Sequence, residues 1–478
     1  MRYRQVHLDF HTSEAIETIG NRFSKLQFQE MLRKGHVDSI TIFAKCHHGW
    51  SYFPSEYNEL HPGLSFDLLG AMIEAAHEID VRTPVYLSAG FDEKWARKYP
   101  GWLIRNVEDH QSGQSFLEPG YHQFCMNTPY LNHLVNQVKE VVQKYDGDGI
   151  FLDIVGERMC YCQYCVASLR EAGQDPRDPI AVRELGKQTY KNYTVTMRKV
   201  IDSIKPGHPL FHNSGHITRG RRDLAHANSH QELESLPTGG WGYDHFPLSA
   251  RYAATLGMDY LGMTGKFHTT WGEFGGYKHP NALRYETALS LAHGARCSIG
   301  DQLPPDGAMD TATYELIGKA YREVEEKEPW CRNTTAIADI ALLSLQAVEN
   351  AGLLGKKETT RESVSDNGAS RMLIEGQYLF NIIDLDADFT PYKVLILPDG
   401  VSVDAELRRR INDYCSNGGK LLATGSSGMD ISGDGFALDL GVRWLELNPY
   451  CPDYFRPSFP LKNWGGAAFI QIFPGTAY

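Results

Sequence analysis

The chain has little to attract a polyanion or a lipid bilayer. Of its 478 residues, 47 are lysine or arginine and 59 are aspartate or glutamate, which gives a formal net charge of −12 without a basic run. Nucleic acid and anionic membrane surfaces are therefore poor candidate partners. Uninterrupted apolar runs stay below the roughly 18 residues of a membrane span, and residues 1–6 lack the apolar core of a secretory signal. We expect a cytoplasmic protein that acts on a small neutral substrate.

Cysteine is also scarce, at nine residues. In a cytoplasmic chain this favours thiols or a metal site over disulfides. Cys160, Cys162 and Cys165 form a C-x-C-x-x-C motif, and Cys125 precedes it by about one helix. Four converging thiolates would suit a closed, structural zinc site, and reduced loop thiols are the alternative. We expect no cofactor in the reaction itself.

Short strand-like runs alternate with amphipathic helical stretches over residues 1–330. The candidate strands are Gln5–Phe10, Ser39–Ala44, Thr83–Ser88, Gly149–Val155, Leu210–Asn213, Gln231–Leu236, Asp259–Thr264 and Cys297–Asp301. Polar and aromatic residues cluster after the strands rather than before them, as at the catalytic rim of a (β/α)8 barrel. The pattern predicts an α/β protein with a (β/α)8 TIM barrel, and a doubly wound sheet is the alternative.

A second α/β pattern begins after the barrel, over residues 335–440. Strands are predicted at Ile337–Leu345, Tyr392–Leu397 and residues 418–425, with helices at Asn367–Asn381 and Ala405–Tyr414. This order predicts a flavodoxin-like domain whose glycines form turns, since they do not match a dinucleotide fingerprint. Residues 441–478 look irregular and contain a strand-like segment, Phe469–Phe473, which we take as the start of a further β segment.

Histidines and a tryptophan mark the ends of the first two strands. His47, His48 and Trp50 lie in Ala44-Lys-Cys-His-His-Gly-Trp-Ser-Tyr-Phe-Pro-Ser55. Ring nitrogens can bind sugar hydroxyls, and an indole face can pack on sugar C–H groups. His7, Asp9 and His11 alternate on the first strand and share one face, so they could bind a sugar or a metal. We treat these residues as substrate-binding candidates.

The catalytic candidates are carboxylates. Asp153 ends the apolar fourth strand, where a barrel presents a nucleophile at its rim. A retaining glycosidase needs a second carboxyl about 5–5.5 Å away to protonate the leaving oxygen. Glu234 and Glu232 on the sixth strand and Glu273 after the seventh strand compete for that role, with Glu234 favoured slightly over Glu273 and Glu232 third.

Further polar and aromatic residues follow the later strands and are typical of a substrate pocket. The candidates are Asn213, His216, Trp241, Tyr243, His245, Lys266, His268, Trp271 and Asp301.

The stretch from Ala44 to Ser55 resembles the Ala-Lys-His-His-Asp-Gly-Phe segment of family 29 α-L-fucosidases, with an inserted Cys46 and without the Asp. The resemblance implies that His47 and His48 bind fucose and that Asp153 is the nucleophile. The whole chain looks closer to family 151 α-L-fucosidases, on residues 239–247, residues 270–276 and the cysteine motif. That resemblance implies a second domain like the β-galactosidase trimerisation domain, and hence a homo-oligomer, such as a trimer. The cysteine pattern is similar to the zinc site of family 42 β-galactosidases.

The sequence thus predicts a retaining exo-glycosidase that hydrolyses terminal α-L-fucosides of a fucosylated oligosaccharide. An exo-β-galactosidase or another exo-glycosidase is the nearest alternative, because fucose and galactose share hydroxyl stereochemistry at several carbons. A metal-dependent barrel amidohydrolase is the alternative from another class, with His7, Asp9, His11, a fifth-strand histidine, His230 and Asp301 as loosely matching metal ligands. A barrel that binds sugar without cleaving it is the third.

Overall fold

The structure is a computed structural model that describes residues 1–111, 113, 115–354, 363–446, 453–455 and 470–472. The chain forms two compact units. The first comprises residues 1–216, 226–240 and 258–334, and the second comprises residues 217–225, 241–257 and the chain from 335 onward. Among the described residues, helices that combine the length and the apolarity of a membrane span are absent.

The described part of the first unit contains eight parallel strands that form a nearly closed barrel. They are β1 (Arg4–Asp9), β2 (Ser39–Lys45), β3 (Pro84–Ser88), β4 (Gly149–Asp153), β5 (Leu210–His212), β6 (Gln231–Glu234), β7 (Tyr260–Gly265) and β8 (Arg296–Gln302). Their order is β5-β4-β3-β2-β1-β8-β7-β6, and β1 pairs with β8. The predicted (β/α)8 barrel is therefore confirmed.

Side chains replace part of the strand pairing at the seam between β5 and β6. The backbone N–H of Leu210 donates to Ser229 Oγ at 3.0 Å, and the backbone N–H of His212 donates to Asn228 Oδ1 at 2.8 Å. The residues just before β6 thus satisfy backbone donors of β5 that a regular ladder would otherwise satisfy.

Helices connect and cover the strands. In the described chain they are α1 (Lys25–Lys34), α2 (Leu68–His77), α3 (Glu93–Lys98), α4 (Tyr130–Lys144), α5 (Gln163–Glu171), α6 (Pro179–Asp202), α7 (Arg222–Ala225), α8 (His245–Ala253), α9 (Pro280–Ala292), α10 (Thr311–Cys331), α11 (Leu345–Asn350), α12 (Val364–Glu375) and α13 (Ala405–Ser416). Aspartate side chains accept backbone N–H bonds at several helix starts, for example Asp67 at α2 and Asp310 at α10. Such capping residues fix where a helix begins.

The alternation of side chains along β1 decides what the barrel encloses. Val6 and Leu8 are buried on one face of the strand, and His7 is buried on the other. The His7 ring contacts rings from β2, β3 and β4, so its face of β1 is the interior of the barrel. On β1 the polar His7 therefore enters the barrel, while the apolar Val6 and Leu8 face the surrounding helices.

The second unit contains a parallel sheet of four described strands, β9 (Ile340–Leu343), β10 (Phe380–Ile383), β11 (Val394–Leu397) and β12 (Lys420–Ala423). Their order is β10-β9-β11-β12, which is a doubly wound arrangement. Leu343, Ile383, Leu395 and Leu397 pack together in its core. The fold agrees with the predicted flavodoxin-like domain. The backbone of β13 (Asp453–Phe455) pairs antiparallel with β14 (Ile470–Ile472).

The helix predicted over Asn367–Asn381 is wrong in its second half. The structure ends α12 at Glu375, and the strand β10 follows from Phe380. Gln377 adopts a left-handed φ of +60°, which ends the helix and turns the chain toward the sheet. The sequence-based domains 1–330 and 335–440 assign residues 217–225 and 241–257 to the barrel, whereas the structure groups them with the second unit. The predicted irregular segment 441–478 lies largely outside the described residues.

Candidate active site

Asp153 ends β4, and three donors hold its carboxylate. Tyr86 of β3 donates its hydroxyl to Oδ2 at 2.6 Å, and the side-chain amide of Asn213 donates to Oδ1 at 2.8 Å. The backbone N–H of Ile154 also donates to Oδ1, at 2.8 Å. Burial raises the pKa of Asp153, and these hydrogen bonds oppose the rise. The carboxylate is therefore fixed in orientation at the carboxyl end of its strand.

An aromatic layer lies inside the barrel around His7. The ring of His7 meets Phe151 at a centroid distance of 5.0 Å, Trp271 at 5.3 Å and Tyr86 at 5.6 Å. Phe43 stacks on Tyr86 at 3.7 Å. Burial lowers the pKa of His7, so its ring is neutral at physiological pH. The predicted substrate-binding residue His7 thus forms part of the buried layer on which Tyr86 and Trp271 rest.

Asp9 and His11 form a pair at the end of β1. His11 Nε2 lies 3.0 Å from Asp9 Oδ1, and the backbone N–H of His47 donates to His11 Nδ1 at 3.1 Å. Burial disfavours the charged ring, but the Asp9 carboxylate outweighs it and raises the pKa of His11 to about 10. The bond from the His47 N–H needs a lone pair on Nδ1, so it opposes protonation of the ring.

His47 stacks on His11 at a centroid distance of 3.9 Å, and its partners define its tautomer. Ser88 donates its hydroxyl to the Phe91 carbonyl at 2.8 Å, so Ser88 Oγ accepts from His47 Nδ1, 2.6 Å away. Burial is the largest cause that lowers the pKa of His47 well below its ordinary value. His47 Nε2 therefore keeps a lone pair, 3.9 Å from Asp153 Oδ2, where it can accept a hydrogen bond from a substrate hydroxyl.

His48 and Trp50 lie farther along the same loop. The hydroxyl of Tyr121 lies 3.1 Å from His48 Nε2, and burial lowers the pKa of His48 to about 4. Trp50 donates its indole N–H to Glu14 at 3.3 Å, and the Lys94 ammonium lies 4.6 Å from its ring centre. Lys94 thus covers one face of the Trp50 indole.

The structure distinguishes the three glutamate candidates by their partners. Trp271 donates its indole N–H to Glu234 Oε1 at 2.8 Å. Glu232 is buried beside His230 Nε2 at 2.9 Å. Glu273 accepts the hydroxyl of Thr269 at 2.6 Å, and this hydrogen bond lowers the pKa of Glu273. A lowered pKa favours the ionised form, so Glu273 is a poor proton donor at neutral pH.

Contacts within the first unit connect Asp153 to Glu234. Tyr86 binds Asp153, His7 contacts both Tyr86 and Trp271, and Trp271 binds Glu234. Gly300 on β8 makes room for the indole, since a Cβ there would lie 2.4 Å from the Trp271 ring. Two carboxylates thus border one aromatic layer, each held by a hydrogen-bond donor from it.

The remaining candidates lie in different places. Lys266 and Asp301 are buried, and Lys266 Nζ lies 3.9 Å from Asp301 Oδ1. Asp301 pairs in register with Leu8, which places it on the helix-facing side of the sheet. Burial raises the pKa of Asp301 to about 7. His216 lies after β5 in the first unit and His268 is exposed after β7, whereas Trp241, Tyr243 and His245 belong to the second unit.

The four predicted cysteines converge. The sulfur atoms of Cys125, Cys160, Cys162 and Cys165 all lie within 4.8 Å of one another, and all four residues are buried. A tetrahedral zinc–thiolate site has Zn–S bonds of about 2.3 Å, which separates its sulfurs by about 3.8 Å. The cluster therefore fits a zinc ion after small shifts of the side chains.

Sequence reasoning missed Tyr86, Ser88 and Gln123. The period-two alternation of β3 does place Tyr86 and Ser88 on one face, and that signal could have suggested them. Gln123 lies in a loop without periodicity, so its contact with the Ile154 carbonyl at 3.1 Å had no local signal.

Comparisons with known proteins agree with the fold and identify a family. A family model described as Hypothetical glycosyl hydrolase 6 matches residues 24–154, and one described as Beta-galactosidase trimerisation domain matches residues 371–438. The structure of alpha-L-fucosidase isoenzyme 2 from Paenibacillus thiaminolyticus is 58% identical, with a TM-score of 0.94 over 99% of this chain and 71% of that chain. No curated protein sequence matches the chain.

Two β-galactosidase structures share the fold at low identity. The enzyme from Bacillus circulans sp. alkalophilus has 16% identity and a TM-score of 0.68 over 90% of this chain and 72% of its own. The family 42 enzyme from G. stearothermophilus has 17% identity and a TM-score of 0.74 over 94% of this chain and 77% of its own.

The match to a glycosyl hydrolase family model and the α-L-fucosidase relative, together with the (β/α)8 barrel, define a glycoside hydrolase. At 58% identity over 99% of its length, the chain belongs to the family of the P. thiaminolyticus α-L-fucosidase.

Proposed function

We propose that this protein is a retaining exo-α-L-fucosidase in which Asp153 is the nucleophile and Glu234 is the acid/base. The relative named as an α-L-fucosidase supports the substrate. The observation that carries the mechanism is the fixed Asp153 carboxylate, with Tyr86 on Oδ2 and both Asn213 and Ile154 on Oδ1. Oδ1 accepts two hydrogen bonds and Oδ2 accepts one from these donors, so Oδ2 has the lone pair that attacks the sugar.

The reaction then follows in two displacements. Oδ2 of Asp153 forms a bond to the anomeric carbon while Glu234 transfers its proton to the departing glycosidic oxygen. The ionised Glu234 next removes a proton from a water molecule, which attacks the same carbon and displaces Asp153. The indole N–H of Trp271 orients Glu234 in both steps, because it is bound to Oε1.

The histidines supply the hydroxyl-binding groups of the proposed pocket. His47 Nε2 lies beside the nucleophile with an accepting lone pair, and a neutral His48 adds a second ring. We propose that both bind hydroxyls of the sugar and that Asn213 acts mainly on Asp153. Neutral rings suit an uncharged sugar, since they exchange hydrogen bonds without a need for a counter-charge.

The amidohydrolase alternative requires a catalytic metal at His7, Asp9 and His11. In the structure Asp9 binds His11, and His7 lies among the rings of Phe43, Tyr86, Phe151 and Trp271. Among the described residues, metal-binding side chains converge instead at the four cysteines. This arrangement supports glycoside hydrolysis over the metal-dependent alternative.

The test is hydrolysis of p-nitrophenyl α-L-fucoside beside the β-D-galactoside, with wild type, Asp153→Asn, Glu234→Ala and Glu273→Gln. We expect fucoside turnover that falls by about a thousandfold or more in Asp153→Asn. With added azide, Glu234→Ala should release an α-fucosyl azide, because azide attacks the covalent intermediate without a general base. Full activity of Asp153→Asn would overturn the assignment of the nucleophile, and loss of activity in Glu273→Gln alone would overturn that of the acid/base. Turnover of the galactoside alone would favour the alternative sugar.

We also propose that the cysteine cluster binds a structural zinc ion, which when bound would tie residues 160–165 to the loop that carries Cys125. The free thiols of the described cysteines suit a reducing compartment, and we propose the cytoplasm. Metal analysis of the purified protein should find one zinc ion per chain, and Cys162→Ser should lose it.

We propose further that the chain forms a homo-oligomer, such as a trimer. The match of residues 371–438 to a trimerisation domain supports this state. Light scattering measures the mass in solution, and a monomer would contradict the proposal.

A further inference from the structure

The residue after the proposed nucleophile has a strained backbone. Ile154 adopts a left-handed φ of +60°. The left-handed conformation is strained for a β-branched residue, though not for glycine. It persists only where the surrounding structure enforces it. In Ile154 it directs the backbone N–H to Asp153 Oδ1, at 2.8 Å. The strain is thus coupled to the orientation of the carboxylate.

Packing restrains this segment on one side and leaves it room on another. A Cβ added at Gly90 would lie 1.8 Å from the Ile154 carbonyl oxygen, so the Gly90 backbone lies directly against this peptide. Ile154, Val155 and Gly156 also line a pocket together with Leu185 and Tyr190 of α6. A backbone beside a pocket has room to relax there, because few atoms oppose its movement. Specific hydrogen bonds therefore contribute to holding the left-handed conformation.

Two hydrogen bonds hold the peptide between Ile154 and Val155. The Val155 N–H donates to the Asn213 carbonyl at 3.1 Å, and Gln123 Nε2 donates to the Ile154 carbonyl at 3.1 Å. Arg158 Nε donates to Gln123 Oε1 at 3.3 Å, which fixes which end of the amide is the donor. The Gln123 backbone is itself held, because its carbonyl accepts the N–H of Ile104 at 2.8 Å.

We propose that Gln123 is a positioning residue for the reaction: it holds the Ile154 peptide in its strained conformation and thereby aims the Asp153 carboxylate at the sugar. Gln123 reaches Ile154 from the loop that also carries Cys125, so it connects the cysteine cluster to the nucleophile. The proposal rests on the proposed role of Asp153.

The experiment compares Gln123→Met, Gln123→Glu and wild type on p-nitrophenyl α-L-fucoside across pH. Methionine removes the amide without adding a charge, and glutamate keeps an acceptor for Arg158 but loses the donor to Ile154. The rate of fucoside hydrolysis should fall by about tenfold to a hundredfold in both variants, mainly through kcat, because a displaced nucleophile attacks more slowly. The acid limb of the Gln123→Met profile should move to higher pH, since the Ile154 N–H no longer stabilises the ionised carboxylate.

Gln27→Met is the matched control. Gln27 is half-buried like Gln123 and donates its amide to the Met309 carbonyl at 2.7 Å, between α1 and the segment before α10. Its substitution removes the same kind of hydrogen bond between residues that take no part in the hydrogen bonds around Asp153. We expect the kcat and the pH profile of Gln27→Met to match those of wild type.

A second variant separates positioning from a general loss of structure. Glycine adopts the left-handed conformation without strain, so Ile154→Gly should remove the need for the Gln123 bond. The double variant Ile154→Gly/Gln123→Met should therefore recover most of the activity that Gln123→Met loses. A melting temperature close to that of wild type would confirm that a variant is folded. If Gln123→Met is unfolded, the double variant takes its place in the comparison with wild type.

The outcomes are distinguishable. If Gln123→Met has the kcat and the acid limb of wild type while Asp153→Asn is inactive, the positioning role is overturned and the proposed function is left intact. A double variant no more active than Gln123→Met would also overturn it. An active Asp153→Asn would instead reject the proposed nucleophile.

Discussion

At the scale of single residues, the protonation of Asp153 is a balance between burial and hydrogen bonding. Burial raises the pKa of this carboxyl, and the hydroxyl of Tyr86 is the first of the hydrogen bonds that lower it. In its proposed role as the nucleophile, Asp153 must be ionised, so its pKa would set the acid limb of the rate profile. Each lost donor shifts that limb toward higher pH.

Tyr86→Phe removes one donor and leaves the aromatic layer in place. Because a hydrogen bond to a charged group contributes about 1.5–3 kcal/mol, we expect kcat/KM to fall about tenfold to a hundredfold. The acid limb should move upward, since the ionised Asp153 loses stabilisation while the protonated form does not. The pH dependence of kcat/KM for an aryl fucoside measures both effects.

Tyr145→Phe is the matched control for this variant. Tyr145 lies directly after α4 and donates its hydroxyl to Asp67 Oδ2 at 2.8 Å. The substitution therefore also removes a tyrosine–aspartate hydrogen bond. That bond lies outside the candidate site, and its loss should leave the pH profile unchanged. An unmoved acid limb in Tyr86→Phe would contradict the proposed balance at Asp153.

Single residues also show how far the sequence could predict the candidate site. Asp153 was visible because a carboxylate that ends an apolar strand is a local pattern. The side of the sheet that Asp301 faces was not visible, because it depends on the register of β8 against Leu8 of β1. Gln123 needed the folded path of two loops, which no spacing in the sequence encodes.

At the scale of elements, strand β8 makes room for the proposed acid/base, Glu234, because Gly300 lacks a side chain. Gly300 lies opposite His7 in the register of β1 and β8, and the Trp271 ring occupies the space that a side chain would fill. The indole then reaches Glu234. A glycine in a strand often marks such a close approach.

Gly300→Ala should therefore displace Trp271, because the added Cβ would lie 2.4 Å from the ring. We expect hydrolysis of fucosides with poor leaving groups to fall at least tenfold, since these need the proton from Glu234. Aryl fucosides with good leaving groups should lose less. A comparison of the two substrate types measures the difference.

Gly272→Ala tests the same loop without a clash, since a Cβ at Gly272 meets no heavy atom within 4 Å. It should retain the leaving-group dependence of wild type. Equal losses for both types of leaving group in Gly300→Ala would show that the substitution disturbs more than proton donation.

Elements with strong periodicity were predictable, and those that depend on tertiary contacts were less so. The predicted strands of the barrel agree with β1 to β8 to within two residues at each end, because alternation and turn residues mark them. The boundary between α12 and β10 was missed, since a left-handed glutamine at position 377 ends the helix where the sequence still permits one.

At the scale of the whole molecule, a buried ion pair and a partly buried one hold the second unit together from segments far apart in sequence. Arg219 Nε lies 3.4 Å from Asp366 Oδ2, and both side chains are almost fully buried. Arg222 and Tyr252 both donate to Asp384 Oδ2, at 2.8 Å and 2.9 Å. The residues 217–225 and 241–257 are thereby tied to the later part of the chain.

Asp366→Ala would leave the buried Arg219 guanidinium without this carboxylate. Breaking a buried ion pair costs about 3–5 kcal/mol, so we expect the free energy of unfolding to fall by that amount. Chemical denaturation monitored by circular dichroism measures it. The exposed Arg409–Asp413 pair on α13 is the control, and Asp413→Ala should change stability by less than about 1 kcal/mol. A similar change in both variants would contradict a structural role for the buried pair.

The second unit is built from three separate chain segments, and this limits how the protein can recombine with a relative. Two of its three segments interrupt the barrel, one after β5 and one after β6, so the chain crosses between the units five times. A homologous exchange of the region after residue 334 would therefore transplant only part of a unit, separating Asp366 and Asp384 from Arg219 and Arg222. Recombination, in the laboratory or over evolutionary time, is expected to preserve the two short insertions and the C-terminal region as one inherited set.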